Sequence, residues 1–508
     1  MEQLLQGFSI FFSGGNLLYC GLGVLIGTAV GVLPGIGAIA AVSILLPATF
    51  YLGPTTSLVM LAGVYYGAEY GGGVASILLN LPGTPASAVV CIEGHEMTKQ
   101  GRGGVALMIS ALSSFIGGLI GIFLLILMTP FIVALSLSLS PADYFCVMLI
   151  GLILAGAVTG SSPAKGMSMM ILGLMLGTVG TDVLSGTVRY SLGFVSLYDG
   201  IDLVAMVMGL FGVSEVIASM TSRKQYDKVQ RVSLRSMVPT LRDIRLCILP
   251  ALRGTGIGAA LGALPGTGPT LASFISYATE KRVSRRPEAF GTGAVEGISG
   301  PEASNNAAAM TAFVPTLSLG IPGTPTMAIM IGALMIHGIV PGPRMLTDNA
   351  DLYWTVIASF LVGNILLLVL NIPLIGLWVR LLQIPQHFLF PAIICLICVG
   401  VYSVNSNVFD IVSVMIFGVV GYGLRLLGFP PAPLLIGFVL GPLMEEYFRR
   451  AMLLARGDFL SLFGSPISAT LLAISIALLF FSLLASRRRR KGARCNSLNE
   501  TKSETGAK

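Results

Sequence analysis

One glycine- and proline-rich motif occurs twice in this chain. Gly-x3-Gly-x-Leu-Pro-Gly-x-Gly spans residues 27–37 and again 258–268, and each copy is followed by a second matched motif, Pro-Gly-Thr-Pro, at residues 82–85 and 322–325. The chain is therefore duplicated. Proline and glycine break helices, and a membrane tolerates the freed backbone groups only inside protein or around a cavity. Paired breaks in two halves predict a binding site where the halves meet.

The amino-acid composition shows whether the chain folds in water or in a membrane. Hydrophobic residues make up 54% and charged residues 10%, and the mean hydropathy is +0.87, whereas a soluble domain carries about 25% charged residues. The sequence therefore predicts an all-α polytopic membrane protein with about ten to fourteen membrane segments. Apolar runs long enough to span lie around residues 104–128, 143–160, 202–220, 352–379, 408–424 and 467–486.

Basic residues orient the chain in the membrane. Residues 222–245 hold seven Lys and Arg against two Asp, and five consecutive basic residues begin the tail at 487–491. A further basic loop occupies residues 281–286. Because basic loops stay in the cytoplasm, we expect all three segments, and with them the C-terminus, to be cytoplasmic.

The glycine-broken segments are too short to cross the membrane twice. Only Leu246 to Glu280 separates two basic loops, and two spans need about 40 residues plus a turn. We therefore expect a re-entrant hairpin bent at residues 264–266, with two short tilted spans as the alternative. The matching hairpin, Tyr19 to Tyr51, has no basic flank, whereas the loop predicted at residues 93–102 carries Lys99 and Arg102.

This alternation of charge predicts two homologous repeats that are inverted in the membrane, although a parallel duplication stays open. The predicted division is a first transmembrane repeat at 1–221, a basic cytoplasmic linker at 222–245, a second repeat at 246–460, and a terminal helix with a basic tail at 461–508.

The breaks carry the predicted substrate site. A helix that begins in mid-membrane presents free N–H groups and a partial positive charge, which together bind anions. Small polar side chains nearby add hydrogen bonds without charge, although Thr and Asn also serve simply as helix caps. The candidate substrate-binding residues are Pro34, Gly35, Gly37, Asn80, Thr84, Pro265, Gly266, Gly268, Asn305, Asn306 and Thr324.

Two carboxylates within these apolar halves are candidates for ion coupling. Glu69 and Glu302 lie among glycines upstream of each Pro-Gly-Thr-Pro motif, and ionisable groups at membrane depth usually serve function. A carboxylate at a water-facing helix end is the alternative. Thr267 and Thr270 are the hydroxyl candidates for the same role. We expect no cofactor and no metal beyond a coupling sodium ion or proton, and we expect Cys395 and Cys398 to be core residues.

Known enzyme motifs are missing from the sequence. It contains no Gly-x4-Gly-Lys-Ser/Thr, so the chain is not itself an ATPase, and we expect no enzymatic activity. The basic stretches border apolar segments and lack interleaved aromatic residues. They favour contact with anionic membrane lipids over nucleic acid.

The motifs together resemble a known family. The repeated glycine motif, Tyr66–Gly72, Asn80–Pro85 and Gly300–Asn306 resemble the large membrane subunit of bacterial tripartite tricarboxylate transporters, the TctA family, over about residues 15 to 450. The resemblance implies secondary uptake of carboxylates such as citrate, or of a dicarboxylate, driven by an ion gradient across the bacterial inner membrane. It also implies two partners, a periplasmic solute-binding protein and a small four-helix membrane subunit. A membrane-embedded enzyme or scaffold, or a channel, is the alternative.

Overall fold

The computed structural model describes residues 2–33, 36–158, 162–182, 185–221, 232–342, 344–382, 384 and 386–480. These residues form an almost entirely helical structure. Its helices are α1 Glu2–Phe12, α2 Asn16–Val32, α3 Gly37–Leu45, α4 Pro54–Leu79, α5 Val90–Lys99, α6 Gly103–Leu137, α7 Pro141–Val158, α8 Pro163–Gly177, α9 Leu203–Val207, α10 Ser214–Thr221, α11 Leu241–Gly262, α12 Gly268–Val283, α13 Glu296–Thr311, α14 Phe313–Leu319, α15 Pro325–Ile336, α16 Met345–Asp348, α17 Ala350–Asn371, α18 Ile375–Leu381, α19 Gln386–Asn405, α20 Val408–Leu426, α21 Ala432–Leu454 and α22 Pro466–Phe480.

Several of these helices suit a bilayer. Among the described residues, five are long and apolar enough to cross a membrane: α6, the continuous run from α9 to α10, α11, α17 and α20. The pair α1 and α2 adds a sixth apolar stretch, bent by 78°. Shorter apolar helices include α7, α15 and α22. The predicted class, a mostly α-helical polytopic membrane protein, is therefore confirmed.

Helices α2 and α4 of the first repeat pack parallel to each other. Three glycines of α2, spaced four residues apart, meet three carbonyls of α4 with the same spacing, so closely that a β-carbon on any of the glycines would overlap the facing backbone; the pairs are Gly23 with Met60, Gly27 with Val64 and Gly31 with Ala68. Small residues let helices approach in this way. Because α2 and α4 run parallel, the chain must return to the starting level between them. The segment formed by α3 and the 3₁₀ turn Pro47–Tyr51 makes that return.

The second repeat is built in the same way. Helix α11 packs parallel to α13 through the same kind of glycine stripe, and α12 makes the return; the pairs are Gly254 with Gly300, Gly258 with Ser304 and Gly262 with Ala308. The predicted break lies where the sequence placed it, because α11 ends at Gly262 and α12 begins at Gly268. Helices α4 and α13 are buried along most of their length and form the centre of the bundle.

A loop after α8 differs in kind from the rest. Strands β1 (Gly180–Thr181) and β2 (Val188–Arg189) form a small antiparallel hairpin. Two ion pairs fasten it to α21, since Asp182 lies 2.9 Å from Arg449 and Arg189 lies 2.8 Å from Glu445. The second repeat has no loop of this length between α20 and α21, so the two repeats differ outside their core.

Two sequence predictions are wrong in detail. Residues 93–99, predicted as a loop, belong to α5, and Glu93 is completely buried, because its carboxylate has four donors in the second repeat. Cys395 is exposed on α19 rather than in the core, as expected for an apolar helix whose outer face meets lipid. Most of the predicted linker, residues 222–231, lies outside the described residues.

Candidate functional site

Each helix break meets the Pro-Gly-Thr-Pro motif of its own repeat. In the second repeat the Gly266 amide donates a hydrogen bond to the Gly323 carbonyl, 2.9 Å away. In the first repeat Gly83 packs against the Gly31 carbonyl so closely that it has no room for a β-carbon. Gly37 faces the Gly83 carbonyl. The sequence motifs therefore come together in pairs, while Pro34 and Gly35 lie outside the described residues.

The helices that start at these breaks have no side-chain cap. Ile36, before α3, has no polar side chain, and the Thr267 side chain, before α12, accepts no hydrogen bond from the first turn of its helix. Gly37 and Gly268 have φ angles of 74° and 60°, a left-handed region in which glycine is unstrained. Uncapped first-turn amides are the groups with which a helix start binds an anion.

Most of the predicted hydroxyl groups are engaged locally. Thr324 caps α15 by accepting from the Met327 amide at 3.2 Å. Thr84 exchanges hydrogen bonds with Ser87, at 3.1 Å and 3.3 Å. Thr267 donates to two carbonyls of the preceding helix end. These contacts are the capping roles that threonine often has near helix ends.

The remaining polar candidates are divided between surface and interior. Asn80 is exposed at the end of α4 with a φ angle of 56°, matched by Gly320, with a φ angle of 71°, at the end of α14. Thr270 is also exposed. Asn306 is buried and donates to the Glu302 carbonyl of its own helix at 3.1 Å.

Glu69 and Glu302 lie in one buried cluster rather than in two matched sites. Glu69 on α4 is 7% exposed and lies against the side chains of Thr84 and Asn305. Glu302 on α13 is 1% exposed, and its Oε2 accepts a hydrogen bond from Ser114 at 2.9 Å. The two carboxylates are close enough to interact electrostatically.

Two members of this cluster, Ser110 and Ser114, are not predicted by the sequence. Ser110 and Ser114 project from α6 towards Glu302. They are two of several serines in a long apolar helix, and nothing in the local pattern distinguishes them. Asn305, a predicted substrate-binding residue, lies beside Glu69.

The two repeats interlock around the breaks. Helix α3 of the first repeat packs against α15 of the second, and α12 of the second packs against the 3₁₀ turn Ala86–Val89 of the first. Tyr65 on α4 lies beside Thr324. Each hairpin therefore contacts the segment that follows the opposite repeat's Pro-Gly-Thr-Pro motif.

A cavity runs along α3, and neither Glu69 nor Glu302 lines it. Its wall is mainly apolar and includes Ile36, Ala40 and Phe390. The acidic group beside it, Glu215, is paired with Arg425. This cavity therefore offers no free positive group to an anion.

Comparison with known proteins decides the family. The family model of the tripartite tricarboxylate transporter TctA family matches residues 17–436. The chain belongs to the TctA family. Members of this family form part of tripartite tricarboxylate transport systems, so partner subunits are implied. Family membership confirms the resemblance carried by the repeated motifs.

Relatives of this TctA protein occur in Agrobacterium vitis. An "Uncharacterized 52.8 kDa protein in TAR-I ttuC' 3'region" is 45% identical over 492 residues, which cover 97% of this chain and 98% of that protein. An "Uncharacterized protein in TAR-II ttuC' 3'region" is 50% identical over 234 residues, which cover 46% of this chain and 97% of that protein. No solved structure matches the chain.

Proposed function

We propose that this TctA protein is the large subunit of a secondary transporter that takes up carboxylates across the bacterial inner membrane. The substrate is a tricarboxylate such as citrate, or a dicarboxylate, and a sodium or proton gradient drives uptake. A periplasmic solute-binding protein delivers the substrate, and a small four-helix membrane subunit completes the complex. The observation that carries the proposal is the pair of uncapped helix starts at Gly37 and Gly268.

These helix starts supply the positive potential for an anion. The stretches of sequence that hold both breaks and both buried glutamates contain no lysine or arginine. These stretches are residues 27–47, 65–98, 254–280 and 287–343. Backbone amides and helix dipoles are then the remaining protein groups that attract a carboxylate. Two such starts, one from each repeat, suit a substrate that carries more than one carboxylate.

Helix directions support an inverted arrangement of the repeats. Glu69 lies against Asn305, and Gly73 lies against Glu302, so numbering rises along α4 where it falls along α13. The two helices therefore run antiparallel, while each is parallel to the first helix of its own hairpin. In the proposed topology α2 and α3 enter from the periplasm, and α11 and α12 enter from the cytoplasm, where the basic residues of 281–286 lie.

Division of the site between the halves favours transport over enzymatic chemistry. Breaks, capping threonines and glutamates come from both repeats and meet at their interface. Such an interface lies near mid-membrane in transporters with inverted repeats, and rocking of one repeat against the other exposes it to either side. An intramembrane enzyme needs a nucleophile and base, or metal ligands, gathered in one place.

The test is uptake by proteoliposomes that contain this chain with both partner subunits. A panel of radiolabelled tricarboxylates, dicarboxylates and aromatic acids is offered under imposed sodium or proton gradients. We expect one class of carboxylate to accumulate only when a gradient is present. Accumulation of none of them with all subunits present, or chemical conversion of the label, would contradict the proposal.

A further inference from the structure

The buried carboxylates lie on helices of opposite repeats. Glu69 belongs to α4 and Glu302 to α13, and the glycine at position 73 leaves room for the Glu302 side chain between the two helices. The two glutamates do not occupy equivalent positions. Gly31 packs on Ala68 and Gly262 on Ala308, so Glu69 follows its contact residue by one position, whereas Glu302 precedes the corresponding one. The cluster is therefore one asymmetric site rather than a duplicated pair.

Three oxygen atoms in this cluster accept no hydrogen bond of normal geometry. They are Oε2 of Glu69, Oε1 of Glu302 and Oδ1 of Asn305. Asn305 is 2% exposed, so water does not satisfy its amide oxygen from a surface. Buried polar atoms are nearly always paired, and an unpaired buried acceptor costs about 1–3 kcal/mol. Unpaired buried oxygens in neighbouring side chains are groups that a bound cation would satisfy.

Charge leads to the same conclusion. Among the described residues no lysine, arginine or histidine nitrogen lies within 4.0 Å of either carboxylate, since neither takes part in an ion pair. Two other buried acidic groups are satisfied within the protein: Glu280 pairs with Arg253 at 2.5 Å, and Glu93 accepts four hydrogen bonds. A buried carboxylate without such a partner is strongly unfavourable in a low-dielectric interior. A bound cation removes that penalty.

We infer that Glu69, Glu302, Asn305, Ser110 and Ser114 form a single sodium site shared between the two repeats. The ligands are carboxylate, amide and hydroxyl oxygens, which suit hard cations rather than zinc or copper. The described residues hold no group of three or more His, Cys, Asp and Glu suited to a transition metal. The inference rests on the proposed transport function, because it names the coupling ion and the residues that hold it.

The site links the two repeats through the ion itself. Ser110 and Ser114 reach Glu302 from α6, while Thr84, next to Glu69, belongs to the Pro-Gly-Thr-Pro motif that faces the first break. A cation bound here draws α4, α6 and α13 together beside the helix starts of the proposed anion site. Sodium binding thereby prepares the site for a negatively charged substrate.

The test is binding of radioactive sodium to the purified full-length chain, at constant pH and ionic strength with choline as the balancing cation. Wild type is expected to bind one sodium ion per chain, displaced by excess sodium but not by potassium. Glu302→Gln, Asn305→Ala and Ser114→Ala are each expected to weaken binding about tenfold or more, since each removes an oxygen ligand or its charge. Ser114→Thr keeps the hydroxyl and should restore binding.

Ser113→Ala is the matched control. Ser113 lies one position from Ser114 on α6, is equally buried, and bonds to the Ser299 hydroxyl at 2.8 Å instead of to Glu302. Its loss should leave sodium affinity unchanged. Equal weakening by Ser113→Ala and Ser114→Ala, or absence of saturable sodium binding in wild type, would each overturn the site.

Sodium binding and carboxylate uptake, measured on the same variants, test the sodium site and the transport function separately. Gradient-driven carboxylate uptake without sodium binding rejects the sodium site and leaves the transport function standing. Sodium binding that needs Ser114 in a protein that moves no carboxylate with its partners rejects the transport function and leaves the site standing.

Discussion

Gly73 on α4 faces Glu302 on α13 so directly that a β-carbon at position 73 would lie 2.8 Å from the Glu302 Oε1 atom. The obstructed atom is the far end of a flexible side chain rather than backbone. An alanine at this position would therefore displace the carboxylate and leave the helix packing in place. A substitution at Gly73 therefore tests the role of the Glu302 carboxylate without disrupting the fold.

Gly73→Ala should abolish most gradient-driven uptake while the protein still folds. Overpacking usually costs about 1–3 kcal/mol, and here movement of one carboxylate relieves it. Gly27→Ala is the contrasting variant, because its β-carbon would overlap the Val64 backbone and should reduce the yield of folded protein. Uptake by proteoliposomes and size-exclusion profiles measure the two effects; normal uptake by a folded Gly73→Ala protein would argue against a role for the Glu302 position.

Glu69→Gln and Glu302→Gln should each eliminate gradient-driven uptake without loss of folded protein. The amide keeps the shape of the carboxylate but removes the charge that holds a cation. Uptake under an imposed gradient, compared with exchange of substrate at equal concentrations across the membrane, measures coupling directly. Normal uptake in both variants would show that the two glutamates have only a structural role and take no part in coupling.

The sequence predicted those features that depend on local residue chemistry. The paired Gly-Pro breaks, the matched Pro-Gly-Thr-Pro motifs and the membrane class follow from helix breaking and hydropathy, which act within a few residues. Glu69 and Glu302 were singled out because charge is rare in apolar segments.

Contacts between distant segments could not be predicted in the same way. The pairing of Ser114 with Glu302 joins residues 188 positions apart, and one serine in an apolar helix resembles another. Residues 93–102 read as a loop in the sequence, whereas the Glu93 carboxylate accepts from amides about 200 residues away in the second repeat. Tertiary partners decided both cases.

Cysteine labelling tests the inverted topology. Leu52→Cys and Val283→Cys, placed singly in a background without native cysteines, mark the ends of the two hairpins. In intact cells a membrane-impermeant reagent should label position 52 from the periplasm and should not reach position 283. Inverted repeats would be ruled out if both positions were labelled in intact cells, or if both were labelled only after the cells were opened.

Gly266 should tolerate no side chain, for a reason of backbone geometry. Its φ angle is 84°, and a β-carbon there would lie 2.5 Å from the Ala155 amide nitrogen on α7. A left-handed conformation alone costs about 1–2 kcal/mol for other residues, and backbone cannot move aside easily. Gly266→Ala should therefore lower the unfolding temperature in detergent.

Gly256 is the matched control for Gly266. It lies in α11, only ten positions earlier, and has nothing within 4 Å of where a β-carbon would be. Alanine is favoured over glycine within a helix by about 0.5–1 kcal/mol, so Gly256→Ala should keep or raise the unfolding temperature. Equal unfolding temperatures for the two variants would show that the second break does not require its observed backbone conformation.

Among the carboxylates near the basic loop at residues 281–286, where the two repeats meet, Glu93 should be the one whose replacement destabilises the protein most. Its Oε1 accepts from the Tyr277 hydroxyl at 2.7 Å and from the Gly291 amide at 2.5 Å, and its Oε2 accepts from the Gly293 and Ala294 amides, both at 2.9 Å. One side chain of α5 thereby satisfies the backbone that leads into α13.

Glu93→Ala leaves those four donors unpaired in a buried position, at about 1–3 kcal/mol for each that finds no water. We expect a large fall in unfolding temperature and loss of uptake, whereas Glu93→Gln, which keeps a single acceptor oxygen, should be intermediate. Glu96→Ala, one turn along α5 on its exposed face, removes only a surface pair with Lys99 and should change little. Because Glu93 joins α5 of the first repeat to the loop before α13 of the second, equal unfolding temperatures for the Glu93 and Glu96 alanine variants would mean that this contact does not hold the repeats together.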